Sequence, residues 1–190
     1  MDSHAAATLH YIRESMEAAA SVAVPGSAGM AMGSVGLLAM ALSLAPGLAD
    51  HWFAIWLIAA ALAGTVGAVL MARPSSLRTL TLTSAPGRNF ALCLFPSLFG
   101  GAVMTGVLWS CGNLHAIPGT WLLMYGCALI AASVTTLRAI AVMGSLFAAL
   151  GLLSLLLPDS VQPLMLGSGF GGLHLLFGLA LGRGRSVRQV

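Results

Sequence analysis

Six long apolar blocks, separated by short breaks, make up most of this chain; they lie near positions 27–46, 51–72, 89–111, 118–136, 140–157 and 163–182. A helix rising ~1.5 Å per residue needs about 20 mainly apolar residues to cross roughly 30 Å of hydrocarbon, and each block is close to that length. Pro46 and Gly47, Pro74, Pro86 and Gly87, Gly112 and Asn113, Pro118 and Gly119, and Pro158 fall in or beside the breaks, where backbone groups freed from a helix can meet water. The pattern predicts an all-α fold: a polytopic membrane helix bundle of six transmembrane helices. The fourth and fifth spans fit most tightly, because the chain must reverse within 133–139.

Residues 4–20 follow another pattern. Leu9, Ile12, Met16 and Ala19 recur three or four apart, while His10, Arg13, Glu14 and Glu17 fall elsewhere around the helix. This predicts an N-terminal amphipathic helix lying at the inner membrane interface or against the bundle. Pro25 and Gly26 break it from the first span. The expected layout is a cytoplasmic amphipathic helix over 1–24, a membrane domain over 25–182 and a basic cytoplasmic tail over 183–190. The first apolar run begins near Val22, behind Asp2, Glu14 and Glu17, so no cleavable signal peptide is expected.

Composition identifies the solvent. The chain is 58% hydrophobic and 7% charged, whereas a water-facing surface carries roughly a quarter to a third charged residues. The lipid bilayer must take the place of water. The formal net charge of +3 rests on eight arginines and no lysine, too dispersed for nucleic-acid binding. Six spans put Arg13, Arg73, Arg78, Arg88, Arg138, Arg183, Arg185 and Arg188 on one side, which the positive-inside rule makes cytoplasmic, together with both termini. Asp50, His51, His115 and Asp159 fall on the other side. Trp52, Trp56, Trp109 and Trp121 lie near the external ends of their spans, as an interfacial aromatic belt would. Cys93, Cys111 and Cys127 have neither disulfide nor zinc spacing.

The sequence also hints at duplication. Met32, Gly33, Ser34, Ser43 and Pro46 resemble Met143, Gly144, Ser145, Ser154 and Pro158, and the steps from Trp56 to Arg73 and from Trp121 to Arg138 are equal. Three like-oriented hairpins would produce such a pattern.

His174, near the middle of the last span, is the leading candidate site. Intramembrane ionisable groups are costly and face a bundle interior or a cavity. Gly167, Gly171, His174 and Gly178 recur at helical spacing, so a flat ligand or another helix could approach closely there. The functional readings are an axial haem ligand, a polar contact for a quinone-like molecule, or a proton relay. No second histidine lies at matching depth, and all five acids lie outside the spans. The structural reading is a histidine bonded to a neighbouring helix within a small-residue seam, and it is the commoner role.

A second set gathers externally: Asp50, His51, Cys111, His115 and Asp159, with His51 and His115 the candidate metal ligands. Their spacing matches no metal motif, and polar residues are expected at span ends in any case. There is no GxSxG, HExxH, phosphate-binding glycine loop before a lysine, or intramembrane carboxylate pair. The expected role is therefore non-enzymatic: an accessory or interaction subunit whose glycine-rich last helix packs against a membrane protein partner or its own copy. The alternative is a cofactor-binding or transport protein using His174.

The run Tyr11, Ile12, Arg13, Glu14, Ser15, Met16, Glu17, the Val24, Pro25, Gly26 break, the Pro118, Gly119, Thr120, Trp121 turn and the Gly169, Phe170, Gly171, Gly172, Leu173, His174 run resemble those of short bacterial multi-helix inner-membrane proteins of unassigned activity. The resemblance covers most of the chain. It implies a multi-pass protein of the bacterial inner membrane and brings no catalytic residues with it.

Overall fold

Pro25 at the N-cap opens the first long helix, its fixed φ suiting a chain about to turn helical. The computed structural model describes residues 8–11, 25–72, 85–136 and 138–186. From position 25 on, these form α1 (Gly26–Leu44), α2 (Trp52–Ala72), α3 (Ala85–Ser110), α4 (Ala116–Ala132), α5 (Arg138–Ser154), α6 (Gln162–Leu166) and α7 (His174–Ser186). A π-helical stretch, Gly167–Leu173, joins α6 to α7 into one continuous last helix. Gly47 and Gly112 have φ of +81° and +69° in the turns after α1 and α3, a conformation costly for any residue with a Cβ.

Four helical stretches are long and apolar enough to cross a membrane: Gly26–Leu44, Ala49–Ala72, Gly87–Ser110 and Asp159–Gly182. α4 and α5 are shorter, at 17 residues each, or ~25 Å of rise. Of the expected amphipathic helix, only residues 8–11 are described; they are helical, with Leu9 and Tyr11 exposed. The remainder of 1–24, the segment holding Arg73 and Arg78, and the end of the basic tail lie outside the described residues.

Two glycine seams hold the bundle together. In the first, α1 runs antiparallel to the last helix. A Cβ on Gly29 would lie 3.0 Å from Gly178 Cα and 3.1 Å from the His174 carbonyl oxygen, and one on Gly33 would lie 2.9 Å from the Gly171 carbonyl oxygen. Gly26, Gly29, Gly33 and Gly36 step by three and four residues, which keeps them on one face for the length of the contact. In the second, α4 and α5 form an antiparallel hairpin. Gly119 and Gly126 on α4 oppose Gly151 and Gly144 on α5; a Cβ on Gly126 would come within 2.5 Å of the Ala148 backbone nitrogen. Spacings of seven residues return each glycine to the same face after two turns.

The last helix lies between the two seams. Leu122, Phe147 and Leu166, all fully buried, belong to the core that fills this junction, together with Ala39 from α1 and Trp56 from α2. α3 is the peripheral helix, burying few of its side chains. It is tied to α4 by Trp121, whose Nε1–H donates to Thr105 Oγ1 at 2.7 Å.

One sequence expectation changes. Trp52, Trp109 and Trp121 do cluster at one end of the bundle around Phe53, with Phe53–Trp109 centroids 4.6 Å apart. Trp56, expected in the same belt, is instead buried in the core, because it lies one turn deeper on α2, on the side that meets Phe170.

The seams predict a contrast in stability. Gly126→Ala, which forces a methyl into the α5 backbone, should destabilise the protein by about 1–3 kcal/mol. Gly64→Ala, where a Cβ meets nothing within 4 Å, should be neutral or stabilising by up to ~1 kcal/mol through helix propensity. Denaturant unfolding in detergent measures both, and equal effects would refute the seam.

Candidate functional site

The π-helical turn gives the site its shape. In a π-turn the backbone bonds from i to i+5, which widens the helix and is frequent at functional positions. Four of the seven residues in Gly167–Leu173 are glycine, and both sides of the helix require them. Gly167 and Gly171 face α1, where an added Cβ would strike the Met40 and Leu37 side chains. Gly169 faces the other way, where an added Cβ would strike Leu122 of α4 and Phe147 of α5.

His174 follows directly and is 4% exposed. Its side chain turns away from the α1 seam into an aromatic enclosure. Phe147 and Tyr125 each lie 5.4 Å from its ring centroid, and Phe170 stacks at 6.3 Å. The Tyr125 hydroxyl lies 2.8 Å from Nε2. The carbonyls of Gly169 and Phe170 lie beside the ring, yet Nδ1 makes no bond of good geometry among the described residues. Carbonyls only accept, so the arrangement favours a proton on Nδ1 and a Tyr125 O–H that donates to Nε2. His174 therefore faces protein. Sequence spacing placed the imidazole on the glycine stripe; in the fold the glycines meet α1 while the ring meets α4 and α5.

This geometry bears directly on a cofactor at His174. Gly167, Gly171 and Gly178 do not offer an open flat surface, because α1 occupies it: the Met30 backbone nitrogen would be 2.7 Å from a Cβ on Gly178. The aromatic rings occupy the other side. For a haem or quinone to reach the imidazole, the helices would have to separate.

The open space lies nearer the tryptophan-rich end. A cavity of about 470 Å³ is bounded by the end of α1, the start of α2, the start of α4 and the entry to the last helix. Its lining includes Ser43, Trp52, Trp56, His115, Asp159, Ser160 and Gln162. Gln162 is buried and anchors this wall. Its Nε2 donates to the carbonyls of Ser154 at 2.8 Å and Leu157 at 3.1 Å, and its Oε1 accepts from the Ser154 hydroxyl. It thus ties the turn after α5 to the last helix, adding a second bond to the Ser154 carbonyl, which also accepts from the Leu157 N–H. Trp56 Nε1 is buried with no hydrogen-bond partner among the described residues.

Of the external set, His115 and Asp159 line this cavity, while His51, in the turn Ala49–His51, does not. Cys111 is exposed. Among the described residues no group of three or more His, Cys, Asp or Glu side chains is placed to hold a metal ion. The residues alone did not point to Tyr125 or Gln162, and they put Trp56 in the interfacial belt rather than beside the cavity. A usable signal existed for Tyr125, the one tyrosine within a predicted span, since a buried phenol seeks a partner.

The Tyr125–His174 bond predicts a coupled pair. Tyr125→Phe should cost about 1–2 kcal/mol in the wild-type background and close to nothing beside His174→Phe. A double-mutant cycle in detergent measures the coupling, and additive losses would show that the bond carries no stability. Compared with known proteins, the chain matches no family model, no curated protein and no solved structure.

Proposed function

We propose that this chain is a six-span protein of the bacterial inner membrane, with both termini cytoplasmic, that acts without catalysis by binding a small molecule from the outer side. The observation that carries the reading is the cavity. Its volume falls in the range of small-molecule sites, and apolar walls with a few convergent polar groups are their usual chemistry. It gathers residues from the ends of α1 and α2 and from the starts of α4 and the last helix, an arrangement that suits helices running alternately up and down. The α4–α5 hairpin, packed along its length beside the longer helices, would supply the fourth and fifth spans. Arginine sidedness in the sequence supports an external cavity.

A second reading, an accessory subunit or homo-oligomer, draws on α3 rather than on the last helix, whose glycines are already met by α1. α3 presents the exposed Phe95–Phe99 ring pair, centroids 5.8 Å apart, beside Gly100, where a Cβ would meet nothing within 4 Å.

Topology is tested by labelling. With Cys111→Ser as background, Ser160→Cys at the cavity should react with a membrane-impermeant maleimide in intact cells, and Arg188→Cys only after permeabilisation. The reverse pattern would contradict the orientation. For the second reading, the native mass in detergent should exceed one chain and fall with Phe95→Ala and Phe99→Ala combined; a wild-type monomer would refute it.

A further inference from the structure

The α4–α5 hairpin is short for a membrane. Its helices have 17 residues each, ~25 Å of rise against roughly 30 Å of hydrocarbon. Where its tip lies follows from its neighbours. Gly144 of α5 meets Gly126 and Ile130 of antiparallel α4, so Arg138, six residues before Gly144, comes level with Val134. α3 also runs antiparallel to α4, with Trp121 bonded to Thr105 toward one end and Phe90 packed with Ala132 at the other. Arg88 therefore comes level with Val134 as well. Both α3 and α5 contact the Ser133–Thr135 turn that carries Val134.

Three exposed side chains thus share one depth at the end of the bundle opposite the cavity: Arg88, Arg138 and Val134, the last 86% exposed. Four residues along from each, one turn deeper, stand exposed Leu92, Val142 and Ile130. The described carboxylates, Asp50 and Asp159, lie in turns at the cavity end and are too far away to pair with these arginines. Sidedness alone calls for cations at this end, but not for a shortened hairpin with two of them level at its tip. A span shorter than the hydrocarbon is accommodated by drawing the headgroups toward it and by flanking side chains that reach up to them. A guanidinium pairs with phosphate through parallel N–H bonds. A zwitterionic headgroup would bring its own ammonium to two arginines, whereas an anionic one brings none.

We infer that the tip of the α4–α5 hairpin binds an anionic phospholipid: its phosphate accepts from the Arg88 and Arg138 guanidinium groups, and its acyl chains lie on the apolar surface of Leu92, Ile130 and Val142. This goes beyond the cavity reading and rests only on its membrane setting.

The test is thermal unfolding of the full chain, delipidated in detergent, with dioleoylphosphatidylglycerol, dioleoylphosphatidylcholine or inorganic phosphate added. Phosphatidylglycerol should raise the midpoint by about 4–8 °C, as for a ligand well above its dissociation constant; the other two should leave it unchanged. Arg88→Gln and Arg138→Gln, each compared with its own lipid-free midpoint, should each lose most of the rise. Arg188→Gln, which removes the same charge from the tail, should keep it. No rise with phosphatidylglycerol, an equal rise with phosphatidylcholine, or an equal loss in all three variants would overturn the site. A matching rise with inorganic phosphate would overturn the lipid and leave a free anion in its place. Detergent erases sidedness, so none of these outcomes alters the labelling test of orientation.

Discussion

Everything in this fold depends on how closely the last helix approaches its neighbours on two opposite sides. Against α1 the backbones come near enough that a Cβ on Gly36 would lie 2.6 Å from the Phe170 carbonyl carbon, and against α4 and α5 a methyl on Gly169 would overlap Leu122. Apolar side chains gain little from contacting each other rather than lipid tails. Helix association within a bilayer therefore draws on van der Waals contact and hydrogen bonds, and both improve as backbones approach. Glycine is expensive in a helix facing water, but here it permits the contact from which the bundle derives its cohesion.

The same constraint explains the chemistry at mid-depth. A helix held on both sides has no room for a bulky polar ring except where its turn widens, and the π-turn at Gly167–Leu173 supplies that room just before His174. The imidazole then lies among Tyr125, Phe147 and Phe170 with one strong bond, to the tyrosine. Close packing here leaves the open volume to the tryptophan-rich end, where the helices are joined by turns and Gln162, rather than glycine contact, closes the wall.

Much of this architecture could be read from the residues. Helix positions followed from apolar block lengths and from proline and glycine breaks, because those features act locally. The importance of the last helix was legible in its glycines and in His174. What could not be read was direction. Helical spacing placed His174 on the glycine face, and a single π-turn, a tertiary adjustment with no local code beyond glycine richness, turned the ring toward α4 instead. Trp56 shows the same limit. Its position near a span end suggested an interfacial indole, yet its partner Phe170 lies more than a hundred residues away in the chain, and only the fold brings them together. Tyr125 and Gln162 were missed because each acts through a contact with a distant or following element rather than through a motif.

His174 is enclosed in protein and held by Tyr125 at the point where the last helix meets α4 and α5. Histidine ¹⁵N NMR of the full chain in detergent tests it most directly, since the protein has five histidines and the account singles out one. One ring should show a protected Nδ1–H and an accepting Nε2, and only that ring's signals should move in Tyr125→Phe. Five rings that all exchange freely with water, or a protected ring indifferent to Tyr125, would contradict it.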